Sequence, residues 1–325
     1  MPGKETVAVS KLQIALLGSV SVVYDDVPQD DKVTRMVKAL LAFLLIQPRN
    51  HPREVLADLF WRDCSAERAR NCLSTALWRL RTVLEPDGVR RGTYLVTTPQ
   101  GEIGFNAKSD YWLDVAVFEE QVRSVLCLPV EVCQPGDIER LERAVQLYSG
   151  ELLTTYYEDW VLPERERLRL LYLSSLTFLM RYYQRNDLHE QSLAFGRQVI
   201  QHDPLREDVH REMMRLYMAD GQRAMALQQY EMCRQVLADE LGVAPLVETQ
   251  EVHTEILASG RGRVLPNPKA ARATDSGVFG SAVEELEEAM RAFEVAKDHL
   301  QRAMQMVERP AEHVERFFQR PHRSR

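Results

Sequence analysis

The stretch Ser65–Leu84, SAERARNCLSTALWRLRTVL, decides how the rest of this 325-residue chain is interpreted. Ser65 is a good N-cap, Glu67 places negative charge in the first turn, and Pro86 prevents continuation of a helix. Leucines spaced four, three and four residues apart form one apolar stripe along it. The spacing therefore predicts a single amphipathic helix whose buried side carries Leu73, Leu77, Leu80 and Leu84.

The side of this helix opposite the leucines is basic and polar, and no acidic residue lies between Arg68 and Arg81. Guanidinium, amide, hydroxyl and indole groups on one exposed face have the chemistry of a major-groove reader. A basic face is also common on helices that are simply solvated, so the neighbouring elements must decide. At about 100° per residue, the outward residues are Arg68, Asn71, Thr75, Trp78, Arg79 and Thr82, with Arg70, Ser74 and Arg81 on the flanks.

The elements around this helix predict a winged helix-turn-helix over residues 11–122. Leu12–Tyr24 is β-rich and breaks at Gly18, which indicates two short strands. Helical patterns over Thr34–Ile46 and Arg53–Phe60 precede the basic helix, and a hairpin signal at residues 94–105 follows it. In this arrangement the third helix enters the major groove and the hairpin touches the flanking backbone or minor groove. Some winged helices serve protein contacts only.

After a helix-poor connector at residues 123–136, residues 137–258 are helical throughout. Turn signals at Asn186-Asp187 and Asp220-Gly221 recur at an offset of 34 residues, which is the tetratricopeptide period. The fold class expected is mainly α with a small β component: a winged helix-turn-helix, a tetratricopeptide-like array and a C-terminal long helix. A generic helical bundle is the alternative for the middle part.

The block ALLAFLLIQPRNHPREVLADLFW (39–61), with ARNCLSTALWRLRTVLE (69–85) and WLDVAVFEEQV (112–122), resembles the OmpR-type winged helix of the SARP-type bacterial transcriptional activators. YEDWVLPERERL (157–168) and the segment ending in ADELGVAP (205–245) resemble the bacterial transcriptional activator domain that accompanies it. Trp160, Glu164 and Arg165 are expected to fix the interface between the two domains.

The resemblance implies a sequence-specific activator that binds promoter repeats in double-stranded DNA as a homodimer and recruits RNA polymerase, with the helical array mediating dimerisation and contacts between domains or to the polymerase. Trp78 occupies a position where the resembled domains often have a small polar or basic residue. Two roles are open for it: stacking on sugar or a thymine methyl, or packing against the next domain. The competing hypothesis is a protein-interaction scaffold whose winged helix is a docking module. The DNA contacts expected from the helix and the resemblance are Arg68, Arg70, Asn71, Ser74, Thr75, Trp78, Arg79 and Arg81, with Thr98 and Gln100 in the wing.

The C-terminal part reads as a linker at 259–280, an amphipathic or coiled-coil helix at 281–308, and a disordered basic tail at 309–325. Four heptads with one polar position are typical of a coiled coil, so self-association is favoured. Docking of this helix on the protein's own surface remains the alternative. The oligomerisation positions are Val283, Leu286, Met290, Phe293, Lys297, Leu300, Met304 and Val307.

The totals exclude several classes of protein. The net charge of −7 argues against a nonspecific polyanion binder, and no apolar run is long enough to span a bilayer. Five cysteines without paired spacing fit reduced thiols, and the histidines have no metal or triad spacing. We therefore expect a non-enzymatic protein without cofactor, metal or membrane partner, located in the cytoplasm at the nucleoid.

Overall fold

A computed structural model describes residues 11–259 of the chain. Its first element is a small four-stranded sheet with the order β3-β2-β1-β6. The alternation of buried and half-exposed residues in β1 places one face of that strand on the core. The two predicted strands at the start of the chain are confirmed, and the sheet contains two more. The strands are β1 Leu12–Ala15, β2 Ser21–Tyr24, β3 Val27–Pro28 and β6 Trp112–Leu113.

Three helices follow the first strands, as predicted: α1 Arg35–Ile46, α2 Arg53–Phe60 and α3 Ala66–Leu84. Helix α1 has eight buried residues and lies in the middle of the core. Ser65 caps α3, because its Oγ accepts a hydrogen bond of 3.4 Å from the backbone N–H of Arg68. All four leucines of the predicted stripe in α3 are buried. The apolar side of α3 is therefore fixed on the core and its other side faces outward.

A two-stranded wing follows α3, with β4 Leu95–Thr97 antiparallel to β5 Ile103–Phe105. The wing is also bonded to the turn between α1 and α2, because His51 and Ile103 exchange two backbone hydrogen bonds of 2.8 and 2.9 Å. Gly104 permits this close approach, since a Cβ there would lie 2.3 Å from Oδ1 of Asn50.

The second part of the described chain is a helical array. Helices α7 and α9 begin 34 residues apart, each after a turn in which one residue, Asp187 or Gly221, has positive φ. The predicted tetratricopeptide-like array is thus observed. Helix α4 continues to Leu126, so the helix-poor connector is shorter than expected. The helices are α4 Asp114–Leu126, α5 Pro135–Leu147, α6 Leu162–Arg185, α7 His189–His202, α8 Glu207–Ala219, α9 Arg223–Leu241 and α10 Val247–Ser259.

The winged helix and the array are joined by hydrogen bonds at the buried side chain of Asp114. Its carboxylate accepts the backbone N–H groups of Leu16 and Leu17 at 2.8–2.9 Å and of Val115 at 2.7 Å. Burial raises the pKa of this carboxyl above its usual range, against the effect of these hydrogen bonds. Strand β6, directly before it, pairs in parallel with β1.

A second connection is the loop between α5 and α6, which pairs with the chain after β1 through the bridge of Leu17 with Leu152. The guanidinium of Arg165 holds this loop by donating to three backbone carbonyls, two of them those of Leu152 and Leu153. Trp160 packs on Phe43 of α1, with ring centroids 5.2 Å apart. Trp160 and Arg165 thus lie at the interface of the two domains, as expected. Glu164 instead pairs with Arg167 inside the array.

No helix within residues 11–259 is both long and apolar enough to cross a membrane. The linker at 259–280 beyond its first residue, the helix at 281–308 with its oligomerisation positions, and the tail at 309–325 lie outside the described residues.

Candidate nucleic-acid interface

The outward face of α3 brings most of the expected contact residues together. Arg68, Asn71, Thr75 and Trp78 are exposed along it, and Arg79 is half-buried. Among residues 11–259, no carboxylate forms an ion pair with Arg68, Arg70 or Arg79, and the one ion pair of α3 belongs to Arg81. Guanidinium groups without a carboxylate partner are available to phosphates and base edges.

Three hydroxyl side chains on this face, those of Ser74, Thr75 and Thr82, donate back to their own helix. Ser74 Oγ donates to the carbonyl of Arg70 at 2.9 Å, and Thr75 Oγ1 donates to that of Asn71 at 3.0 Å. Their oxygens can still accept hydrogen bonds, and Ser74 already accepts one of 2.9 Å from Arg53. The face therefore combines donors on arginine and asparagine with acceptors on serine and threonine, which is the mixture that base edges require.

Trp78 has 64% of its surface exposed, more than most large apolar side chains of the described chain. This exposure favours a contact with a ligand over packing against the helical array. An indole exposed in the middle of a polar helix face has the size and the apolar surface to contact a sugar or a thymine methyl.

Two flank residues of α3 are engaged by the protein itself. Arg70 Nε donates to the carbonyl of Ala66 at 3.1 Å, which turns its side chain towards the start of the helix. Arg81 donates to Glu85 at 3.3 Å and to Thr97 of the wing at 2.8 Å, and its side chain is only 16% exposed. Arg81 thus differs in its surroundings from the outward arginines.

At the tip of the wing, Thr98 and Gln100 have different surroundings. Thr98 closes the turn, because Oγ1 accepts the N–H of Glu102 at 3.2 Å and the Thr98 carbonyl accepts that of Gly101. Gln100 is exposed, next to Gly101 with its positive φ of 88°. Of the two, Gln100 is the side chain that can reach outward from the tip.

Two further residues near α3 were not predicted from the sequence. Arg53 of α2 reaches across to Ser74, and Glu85 binds backbone N–H groups of the wing. Both contacts join elements that are distant along the chain, so periodicity along one helix carries no signal of them. One signal existed for Glu85: an acidic residue at a helix C-terminus is electrostatically unfavourable unless something compensates it.

Charge is distributed unevenly between the two parts of the described chain. Residues 11–112 hold 14 Lys and Arg against 12 Asp and Glu, a net charge of +2. Residues 113–259 hold 14 against 25, a net charge of −11. The overall acidity therefore comes from the array, and the winged helix is free of an acidic excess that would repel a polyanion.

The described residues 11–259 contain no cluster of three or more His, Cys, Asp or Glu side chains that could hold a metal ion. The buried His51, beside the wing, has a pKa lowered by burial and is therefore neutral near pH 7.

Comparison with known proteins gives a family match and similar regulatory proteins. Residues 113–257 match the family described as Bacterial transcriptional activator domain. The regulatory protein AfsR of Streptomyces coelicolor is 29% identical over 224 residues, which are 68% of this chain and 22% of that protein. The transcriptional regulatory protein MoaR1 of Mycobacterium tuberculosis is 26% identical over 272 residues, which are 78% of this chain and 82% of that protein.

Among solved structures, Mycobacterium tuberculosis EmbR in complex with a low affinity phosphopeptide is similar in fold, with a TM-score of 0.62 at 21% identity. The match covers 84% of this chain and 71% of that one. The chain thus spans most of MoaR1 but only about a fifth of the length of AfsR.

Proposed function

We propose that this chain, a bacterial transcriptional regulator of the SARP type, binds specific double-stranded DNA through the outward face of α3 and the wing. The observation that carries the proposal is the combination of unpaired arginines, an amide and an exposed indole on one face of a helix bonded to a two-stranded wing. Such a helix reads base edges while its arginines neutralise phosphates.

Each outward residue then has a role that its chemistry supports. Arg79 and Asn71 are placed to donate to bases or phosphates, and the ring of Trp78 contacts sugar or a thymine methyl. Gln100 at the wing tip reaches the flanking backbone or minor groove. Arg68, Arg70, Ser74 and Thr75 complete the interface along the first half of α3.

The proposal is tested with a DNA duplex selected from a random pool by the unaltered full-length chain. Fluorescence anisotropy on this duplex should show that Arg79→Ala loses about 1–3 kcal/mol of specific binding. The matched control is Arg143→Ala, because Arg143 is an exposed arginine of α5 in the acidic array. Equal affinity of Arg79→Ala and the unaltered chain would remove α3 from the reading role.

Salt dependence separates this function from that of a protein-interaction scaffold. Binding that neutralises several phosphates weakens steeply between low and moderate salt, because counterions are released. Retention on a DNA column with a steep salt dependence supports the proposal. Passage through the column at low salt favours the scaffold, in which the winged helix docks on protein.

We further propose that the array, which is too acidic to hold DNA, contacts RNA polymerase, and that two chains bind neighbouring repeats in the nucleoid. Transcription from a promoter with two selected repeats, using purified bacterial RNA polymerase, should rise when the chain is added. The absence of a rise, with the DNA fully bound, contradicts polymerase recruitment.

The dimer is tested through the expected coiled-coil positions. Sedimentation of the full-length chain should report a dimer, and Phe293→Glu should convert it to a monomer, because a charge at an apolar position breaks the seam. A dimer that survives the substitution would place self-association elsewhere.

A further inference from the structure

An acidic residue, Glu85, occupies the C-terminal cap of the recognition helix α3. Partial negative charge already gathers at a helix C-terminus, so a carboxylate there is disfavoured. Only 2% of this side chain is exposed, so water does little to compensate the charge. The structure compensates it otherwise: Oε1 accepts three backbone N–H groups at 3.0 Å each, those of Gly92, Tyr94 and Leu95.

These three N–H groups belong to the segment that leads into the wing. Glu85 therefore joins the end of α3 to the start of β4, and its second oxygen accepts from Arg81 at 3.3 Å. Arg81 also donates to Oγ1 of Thr97, the last residue of β4, at 2.8 Å. A chain of hydrogen bonds thus runs from Glu85 at the end of α3, through Arg81, to Thr97 before the wing turn.

The wing needs such support, because an isolated two-stranded hairpin with strands of three residues is at best marginally stable in water. Strand β5 is anchored by the backbone bonds of Ile103 to His51. Strand β4 has Glu85 at its start and Arg81 at Thr97 near its end. These three anchors, one on β5 and two on β4, hold the wing that carries Gln100 at its tip.

We infer that Arg81 and Glu85 are positioning residues that fix the wing tip at a set distance from α3, and that Arg81 serves the interface in this way rather than as a DNA contact. The inference rests on the proposed function, because the wing must touch DNA for its position to matter. It assigns a role to Glu85, whose side chain is almost fully buried, and a different role to Arg81 than the outward arginines have.

The test uses two lengths of the selected duplex: a long form with one helical turn beyond the sequence read by α3, and a short form that ends before the wing. Glu85→Gln keeps an oxygen for the three N–H groups but removes the charge that holds Arg81. We expect this variant to bind the long duplex about fivefold more weakly, the effect of about 1 kcal/mol, and the short duplex as the unaltered chain does.

A second pair of variants keeps the test valid should Glu85→Gln unfold. Thr97→Val removes the acceptor for Arg81 at nearly constant shape, and Thr97→Ser retains it. Thr97→Val should weaken binding to the long duplex only, and Thr97→Ser should bind the long duplex as the unaltered chain does. When Gln100→Ala has already removed the tip contact, Glu85→Gln should add no further loss, because both act through the wing.

Equal losses on both duplexes, or losses that add to that of Gln100→Ala, overturn the inference and return Arg81 to the direct contacts. An unaltered chain that binds neither the selected duplex nor any other DNA overturns the proposed function, and the inference with it. The two failures are distinguished by the titration of the unaltered chain.

Discussion

Two helices of this protein, α3 in the winged helix and α6 in the array, are both rich in arginine, with four and five such residues. Their surroundings differ. Arg167 of α6 pairs with Glu119 and Glu164, Arg169 with Glu166, and Arg185 with Glu131. In α3, only Arg81 has a carboxylate partner within the described residues.

The difference shows that the number of arginines does not identify a nucleic-acid surface. A guanidinium bound to a carboxylate is neutralised, and moving it to a phosphate costs the first pair. The array uses arginines of α6 to connect this helix with α4 and with the segment before α5, whereas Arg68, Arg70 and Arg79 of α3 have no carboxylate partner among residues 11–259. The net charges of +2 and −11 of the two regions reflect the same division.

The largest expected effect concerns the joint between the regions. Asp114→Ala leaves three backbone N–H groups without their acceptor, so we expect the free energy of unfolding to fall by about 3 kcal/mol or more. Asp114→Asn keeps one acceptor oxygen and should lose less. Urea denaturation of the full-length chain measures both, and a loss below that of an ordinary surface substitution would contradict the role of Asp114.

A smaller effect is expected at the second connection. Trp160 packs on Phe43 and Phe60, at centroid distances of 5.2 and 6.1 Å, so Trp160→Ala should cost about 2 kcal/mol. The remaining tryptophans, at 61, 78 and 112, all lie in the winged helix. In Trp160→Ala, the fluorescence of these three tryptophans should therefore change at a lower urea concentration than the circular dichroism of the helices. In Trp160→Phe, the fluorescence and circular dichroism transitions should coincide. Coincident transitions in Trp160→Ala would show that Trp160 does not couple the regions.

The contrast between α3 and α6 can be broken by giving α3 a carboxylate. Thr75→Glu places an acid four residues before Arg79, the spacing that favours an ion pair on a helix. We expect specific DNA binding to weaken by about 1–3 kcal/mol and stability to change by less than about 0.5 kcal/mol. The matched control, Glu166→Gln, frees Arg169 in α6 and should leave DNA binding unchanged. A stronger DNA affinity in this control would mean that free arginines anywhere suffice.

The smallest effect concerns pH. His210 in α8 is fully buried, with Nε2 donating to the carbonyl of Pro204 at 3.1 Å and Nδ1 accepting from Gln229 at 2.7 Å. Burial lowers its pKa below the usual 6.5. As the pH falls below that usual value, the His210 imidazole is protonated in the unfolded chain but stays neutral in the folded chain. The free energy of unfolding therefore declines by at most about 1.4 kcal/mol per pH unit.

His210→Gln removes this proton uptake, so its stability should fall less between about pH 7 and pH 5.5 than that of the unaltered chain. The buried His51 of the winged helix supplies the same kind of decline and stays in place. Urea midpoints at both pH values measure the difference. An unchanged pH dependence in His210→Gln would mean that His210 contributes nothing to acid sensitivity.

Much of the fold follows from local signals in the sequence. The cap at Ser65, the leucine spacing and Pro86 place the ends of α3, and the turn signals 34 residues apart place α7 and α9. Strand β6 is not predicted from the sequence, because its two residues, Trp112 and Leu113, are too few to show an alternation of apolar and polar side chains. The helix-poor connector expected at residues 123–136 begins only after Leu126, because Arg123–Leu126 continues α4 without a distinct stop signal.

The sequence by itself therefore determined which residues can face outward on α3, because helical periodicity and capping act between residues close along the chain. Only the tertiary structure decided which of them are unpaired. Arg81 resembles Arg79 in sequence, yet it is tied to Glu85 and to Thr97, 16 residues further along. Trp78 could have been buried against the array and is instead 64% exposed. Side-chain partners are chosen by proximity in space, and that proximity exists only once the wing, the helices and the array have packed together.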